Sequence, residues 1–101
     1  MKKLLQVDFD FEGPFGEEMA EALAGLAESI NNEPGFIWKI WTENQKEQLA
    51  GGIYLFEDEK TANAYLKMHS ARLQEMGIKD VRGRIFDVNM PLSTINNGPI
   101  S

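Results

Sequence analysis

An α+β fold whose elements run β-α-β-β-α-β is predicted from three features of the 101-residue chain. Apolar and polar residues alternate near the amino terminus, two stretches carry apolar residues at a 3.6-residue period, and the middle holds two runs of aromatic and β-branched residues. Leu5, Val7, Phe9 and Phe11 alternate with Gln6, Asp8 and Asp10, so residues 3–11 form a strand with one strongly apolar face. Glu12-Gly13-Pro14 ends it. Met19, Ala22, Leu23, Leu26 and Ile30 then share one stripe of a helix, with Glu17, Glu18, Glu21 and Glu28 outside it. The acidic first turn suits the positive end of the helix dipole, and Asn31-Asn32-Glu33-Pro34-Gly35 supplies the stop.

Phe36 to Thr42 and Gln48 to Phe56 form the two central strands, a hairpin joined by the polar segment 43–47. Gly51-Gly52 inside the second run predicts a bulge or a close approach of another group to the backbone. Asp58 is placed to cap a second helix in which Ala62, Tyr65, Leu66, His69, Leu73 and Met76 fall on one face. Gly77, in the left-handed conformation, ends that helix and lets Ile78 fold back on Leu73. Val81 to Met90 is the last strand, and residues 91–101, with two prolines and no periodicity, are a C-terminal tail. The order is the split-βαβ, or ferredoxin-like, arrangement: a four-stranded antiparallel sheet with two helices on one face.

At 11.4 kDa the chain is expected to expose roughly 5,800 Å² when folded against roughly 16,500 Å² unfolded, which fits a single domain over residues 1–101. The absence of cysteine excludes disulfides, thiolate metal sites and thiol nucleophiles. A net charge of −6 repels phosphate backbones and anionic lipid, so neither nucleic acid nor membrane is an expected partner. Residues 1–59 hold 13 acidic and 4 basic groups, whereas residues 60–101 hold 3 and 6, an asymmetry that suits association of two copies and equally suits solvated faces without any partner. Gln6, Asp8 and Asp10 cut short the apolar run after Met1-Lys2-Lys3, and no stretch approaches the ~20 apolar residues of a membrane span. A soluble, cytoplasmic protein is expected.

The sheet presents two apolar faces. Phe36, Trp38 and Ile40 point one way and Ile37 and Trp41 the other, while Ile53 and Leu55 oppose Tyr54 and Phe56. Two helices cover one face only, so a second copy packed about a twofold axis is expected to cover the other, with the tail free to embrace it. Such a homodimer buries on the order of 2,000 Å² or more.

The segments Leu4-Leu5-Gln6-Val7-Asp8-Phe9, residues 34–41 (PGFIWKIW) and residues 51–56 (GGIYLF) closely resemble the YdhR-type monooxygenases, a branch of the dimeric α/β-barrel superfamily. The resemblance spans nearly the whole chain. It implies a homodimer and a cofactor-independent monooxygenase that oxidises small or polycyclic aromatic compounds with O₂, no cofactor being needed because the deprotonated substrate itself supplies electrons. A non-catalytic small-molecule binding protein of the same fold is the alternative reading. Haem degradation, with His69 as axial ligand, ranks third.

His69, the only histidine, sits mid-stripe on the second helix, where burial favours a neutral imidazole able to accept a phenolic proton; it would equally serve as a hydrogen-bonded core histidine. Trp38 is favoured over Trp41 as an N–H donor to a substrate oxygen, with packing as its other reading. Tyr54 and Tyr65 are expected to orient a ligand or to carry a hydroxyl to the rim of the core. Arg84, which shares a strand face with Arg82, is the candidate for holding an enolate or carboxylate, unless both pair with the acidic amino-terminal half. Asp8 and Asp10 lack a third ligand, so no metal site is expected. Nucleotide-binding, zinc-protease and serine-hydrolase motifs are absent.

Overall fold

The computed structural model describes residues 1–100. Strand β1 (Lys3–Asp10) leads to helix α1 (Gly16–Ile30), then to strands β2 (Phe36–Asn44) and β3 (Leu49–Phe56), helix α2 (Glu59–Glu75), strand β4 (Arg82–Asp87) and a short helix α3 (Met90–Ile95). The four strands form one antiparallel sheet in the order β2-β3-β1-β4, the ferredoxin-like topology that the sequence pattern implies.

Strand register fixes which side chains share a face, because residues paired across strands point the same way. Lys39, Tyr54, Leu5 and Ile85 form one row on the helix side, and Trp41, Gly52, Val7 and Gly83 form the next. On the outer side the rows are Trp38, Leu55, Leu4 and Phe86, then Ile40, Ile53, Gln6 and Arg84. A bulge between Phe36 and Trp38 puts Phe36 on the helix side, against Phe56 at a centroid distance of 6.0 Å. The expected common face of Phe36, Trp38 and Ile40 is therefore corrected: the extra residue, Ile37, breaks the alternation at its start.

The anticipated irregularity at Gly51-Gly52 takes the form of close approach. Pairing runs unbroken through both residues, and a side chain on Gly51 would collide with the backbone of Val7 and Asp8. A methyl group on Gly52 would lie 2.6 Å from Cε of Lys39. Lys39 thus lies in space that only glycine leaves open.

Helix α2 holds the sheet through Ala62, Tyr65, His69 and Leu73, all buried. Its start is capped by Asp58, which accepts from the Thr61 amide at 2.8 Å; this bond keeps the Asp58 carboxyl below its ordinary range. Its end carries both bonds of a Schellman motif, Ile78 N–H to Leu73 O and Gly77 N–H to Gln74 O, each 3.0 Å, with Gly77 at φ +89°. Helix α1 buries only Met19 and Ile30. Ala22, expected within its buried stripe, is exposed and Leu23 and Leu26 are half-buried, because α1 stands away from the sheet and leaves a cavity beneath it.

The last strand ends at Asp87, not at Met90. Asn89 accepts from the Leu92 amide at 3.1 Å and Pro91 fills the first turn, so residues 90–95 wind into α3. The segment after α3 returns to its own sheet. Trp38 Nε1 donates to Pro99 O and Lys2 Nζ to Ile100 O, each at 2.7 Å, and Ile100 is buried. Among the described residues no helix is long and apolar enough to cross a membrane.

Candidate active site

Below α1 lies an inner cavity of about 50 Å³, walled by Val7 and Phe9 of β1, Met19, Leu23 and Leu26 of α1, Trp41 of β2, Tyr54 of β3, and Leu73 and Met76 of the α2 end. Its lining also includes the polar residues Lys39, His69 and Tyr54. Met19, Leu23 and Trp41 also form the wall of an outer groove of about 330 Å³, which runs along Gly16, Ala20, Ala24 and Ala27 of α1 to the edge of β2. Trp41 therefore stands between the inner cavity and the outer groove.

Lys39 reaches across Gly52 so that Nζ lies 3.3 Å from the centroid of the Trp41 ring and 4.6 Å from that of Tyr54. Burial, reinforced by the charge of Arg72, pushes its ammonium down to about 7. The cation–π contacts with Trp41 and Tyr54 favour the protonated form, so the two protonation states lie close in energy at neutral pH. No ion pair to Lys39 or Arg72 forms among the described residues.

His69 is 3% exposed and stacks on Tyr65 with centroids 5.1 Å apart. Its Nδ1 lies 3.0 Å from an Nη of Arg72. Guanidinium has only donors, so Nδ1 accepts and the neutral ring carries its proton on Nε2. Burial, with Lys39 and Arg72 nearby, holds the imidazole down at about 3. The Tyr65 hydroxyl donates to that of Tyr54 at 3.3 Å, and burial raises both phenols above their ordinary range. Nε of Arg72 is buried without a partner.

The structure brings together His69, Tyr54 and Tyr65 and separates them from the other two residues singled out in the sequence. Trp38 lies on the outer face with its N–H engaged by Pro99, and Arg84 lies on that face beside Gln6. The bulge at Ile37 decides the tryptophans: Trp41, not Trp38, walls the cavity. Arg82 bonds Asp8 at 2.5 Å and Asp10 at 3.4 Å, and the two carboxylates raise its guanidinium further. Lys39 and Arg72 escape sequence reasoning. Only the Gly51-Gly52 pair hints at Lys39, and it does so through a register that the sequence does not state.

Residues 4–99 match the family described as "Putative mono-oxygenase ydhR". Three solved structures share the fold. SnoaB, a cofactor-independent oxygenase from Streptomyces nogalater solved as an asparagine-to-alanine variant, is 16% identical with a TM-score of 0.60, over 87% of this chain and 93% of that one. The structural-genomics protein YJCS is 17% identical with a TM-score of 0.63, covering 88% and 100%. A protein described as a "putative antibiotic biosynthesis monooxygenase" from Deinococcus radiodurans is 10% identical with a TM-score of 0.58, covering 88% and 93%. No curated protein matches in sequence.

Proposed function

The chain belongs to the ydhR mono-oxygenase family, and from that premise we propose that it is a homodimeric, cofactor-independent monooxygenase oxidising hydroxylated aromatic compounds with O₂. The observation that carries the reading is an amine poised near neutrality against Trp41 and Tyr54, beside the wall that the inner cavity shares with the outer groove. A general base works best when its pKa lies near the working pH, and Lys39 meets that condition. His69, held near 3 and accepting from Arg72, is a weak base; its part is to offer the Nε2 proton to a substrate oxygen.

In this reaction the Lys39 amine takes the phenolic proton and its ammonium stays beside the phenolate. The phenolate gives one electron to O₂, the radical pair joins at a ring carbon, and the resulting hydroperoxide loses water to leave a quinone. One O₂ is consumed; one of its atoms enters the product and the other leaves in water with the two substrate hydrogens. The buried walls of Val7 and Phe9 keep water from one side of the radical pair and strengthen the charge contacts there. His69 does not suit haem ligation, since its Nδ1 accepts from Arg72 and the neutral ring then keeps its proton on Nε2, which leaves no free lone pair for iron.

The outer sheet face supports the dimer. Ile40 and Phe86 are 54% and 43% exposed there, next to Ile53. The isolated chain exposes 6,787 Å², about 1,000 Å² more than the roughly 5,800 Å² expected of a compact monomer of this mass. The tail covers the end of this face near Trp38 and leaves the Ile40 row open.

Oxygen uptake with 1,5-dihydroxynaphthalene tests the function. As the amine form of Lys39 grows in, kcat/KM rises about tenfold between pH 6 and pH 8 and levels off above, with an apparent pKa of about 7. No uptake at any pH across a panel of hydroxyarenes, from a folded dimer, overturns the proposal.

A further inference from the structure

Lys3 pairs with Asp87 and Lys2 donates to Ile100 O, while Lys46, Lys60, Lys67 and Lys79 are exposed. Lys39 has different surroundings. Its Nζ lies 3.3 Å from the centroid of the Trp41 ring and 4.6 Å from that of Tyr54, in the space that Gly52 leaves open. From α2 it is faced by His69 and by the guanidinium of Arg72, and the same cavity is lined by the apolar Val7 and Phe9 of β1 and by Met19 and Leu23 of α1. Glu28, an acid that shares a neighbouring groove with Lys39 at the end of α1, forms no ion pair with it among the described residues. An amine without a carboxylate, stripped of water by aromatic rings and set beside another cation, keeps its lone pair free near neutral pH. Those are the conditions that turn a lysine from a surface charge into a nucleophile. There is also room for a reactant, because Lys39 and Trp41 line a groove of about 360 Å³ with Ala27, Ile30 and Phe36, a volume in the range of small-molecule sites.

We infer that Lys39 is a covalent site for small aromatic aldehydes, which it captures as an imine. The amine nitrogen attacks the carbonyl carbon, and as the C–N bond forms the C=O π pair moves to oxygen, which takes a proton. The carbinolamine then loses that oxygen as water while the C=N bond closes. Amine and aldehyde thus give imine and water, with no oxidation or reduction. The Nε2–H of His69, which lines the same cavity, is the donor for the carbonyl oxygen. When protonated, the imine keeps a cation over the face of Trp41, and the flat ring of the aldehyde extends along the groove. The capture uses no O₂ and stands independently of the oxygenase reading. An imine at Lys39 removes the base invoked there, so the aldehyde is also an inhibitor of that reaction.

Reductive trapping on the intact wild-type protein under nitrogen tests this. Salicylaldehyde with sodium cyanoborohydride converts each imine to a secondary amine, and peptide mapping by mass spectrometry gives the rate at every lysine and, separately, at the terminal amine. At pH 7 Lys39 is expected to label at least about tenfold faster than Lys46, Lys60, Lys67 or Lys79, because about half of it is unprotonated whereas an ordinary lysine is almost wholly protonated. That ratio falls toward unity by about pH 10, as the exposed lysines lose their protons. In urea, where the cavity is gone, the preference disappears. Labelling of Lys39 no faster than of the exposed lysines at pH 7 overturns the inference, and so does a ratio that does not fall with pH. A preference kept in the unfolded chain also overturns it, since the reactivity would then belong to the local sequence and not to the site. Selective labelling without oxygen uptake in air would remove the oxygenase reading alone. Oxygen uptake without selective labelling would remove this inference alone.

Discussion

Lys39→Met lowers kcat/KM by roughly 10²–10⁴-fold while the protein stays folded, because the substitution removes the base and keeps the apolar stem that fills the space over Gly52. The stability of the variant distinguishes loss of chemistry from loss of structure. In the folded protein the Lys39 ammonium lies at about 7, below the 10.5 of an unperturbed lysine. The unfolded chain therefore binds more protons between these values, and wild-type stability gains from this site as pH rises from 7 toward 10.5. Below pH 7 the folded state carries the full cost of a partly buried cation. The methionine variant lacks that gain and is at least as stable as wild type at pH 6.5. Urea denaturation at pH 6.5 and pH 9, set beside oxygen uptake, measures both effects. A folded variant with full turnover removes Lys39 from the mechanism.

Ile40→Asp is expected to split the proposed homodimer and to leave the monomer folded. Ile40 is 54% exposed in the single chain, so the carboxylate meets water in the monomer and the opposing sheet in the dimer. A twofold interface carries the substitution twice. At about 2 kcal/mol for each copy the dissociation constant rises roughly 10³-fold. Sedimentation equilibrium at micromolar concentration reads the outcome: wild type as a dimer, the variant as a monomer with an unchanged far-ultraviolet spectrum. A wild-type monomer at that concentration contradicts the dimer assignment.

The parts of the fold governed by local chemistry are legible in the sequence. Asp58, the stripe from Ala62 to Leu73 and the Gly77–Ile78 ending of α2 each follow from residue type and spacing. The same stripe correctly delivers His69 and Tyr65 to the interior. Sheet faces are harder to read, because one bulged residue reverses every side chain on one side of it. Ile37 does this, and it separates Phe36 from Trp38 and leaves Trp41 at the cavity. Lys39 is hidden for a related reason. A lysine between two apolar strand residues reads as solvent-facing, and only the pairing of Trp41 with Gly52 opens the room it occupies. Arg84 is displaced by register alone, since its partner is Gln6 on the outer face. Helix α3 was within reach of the sequence, for Asn89 followed by Pro91 is a helix start even where no periodicity follows.

The base, the donors and the enclosure meet in one claim, that this protein transfers an atom of O₂ to an organic substrate using the substrate's own electrons. Incubation of the purified, chelator-treated protein with a hydroxyarene substrate under ¹⁸O₂, followed by mass spectrometry of the product, tests it most directly. The expected product is a quinone carrying one labelled oxygen atom, formed at a rate that collapses in Lys39→Met. Product without label, or label incorporated equally well by the variant, contradicts it.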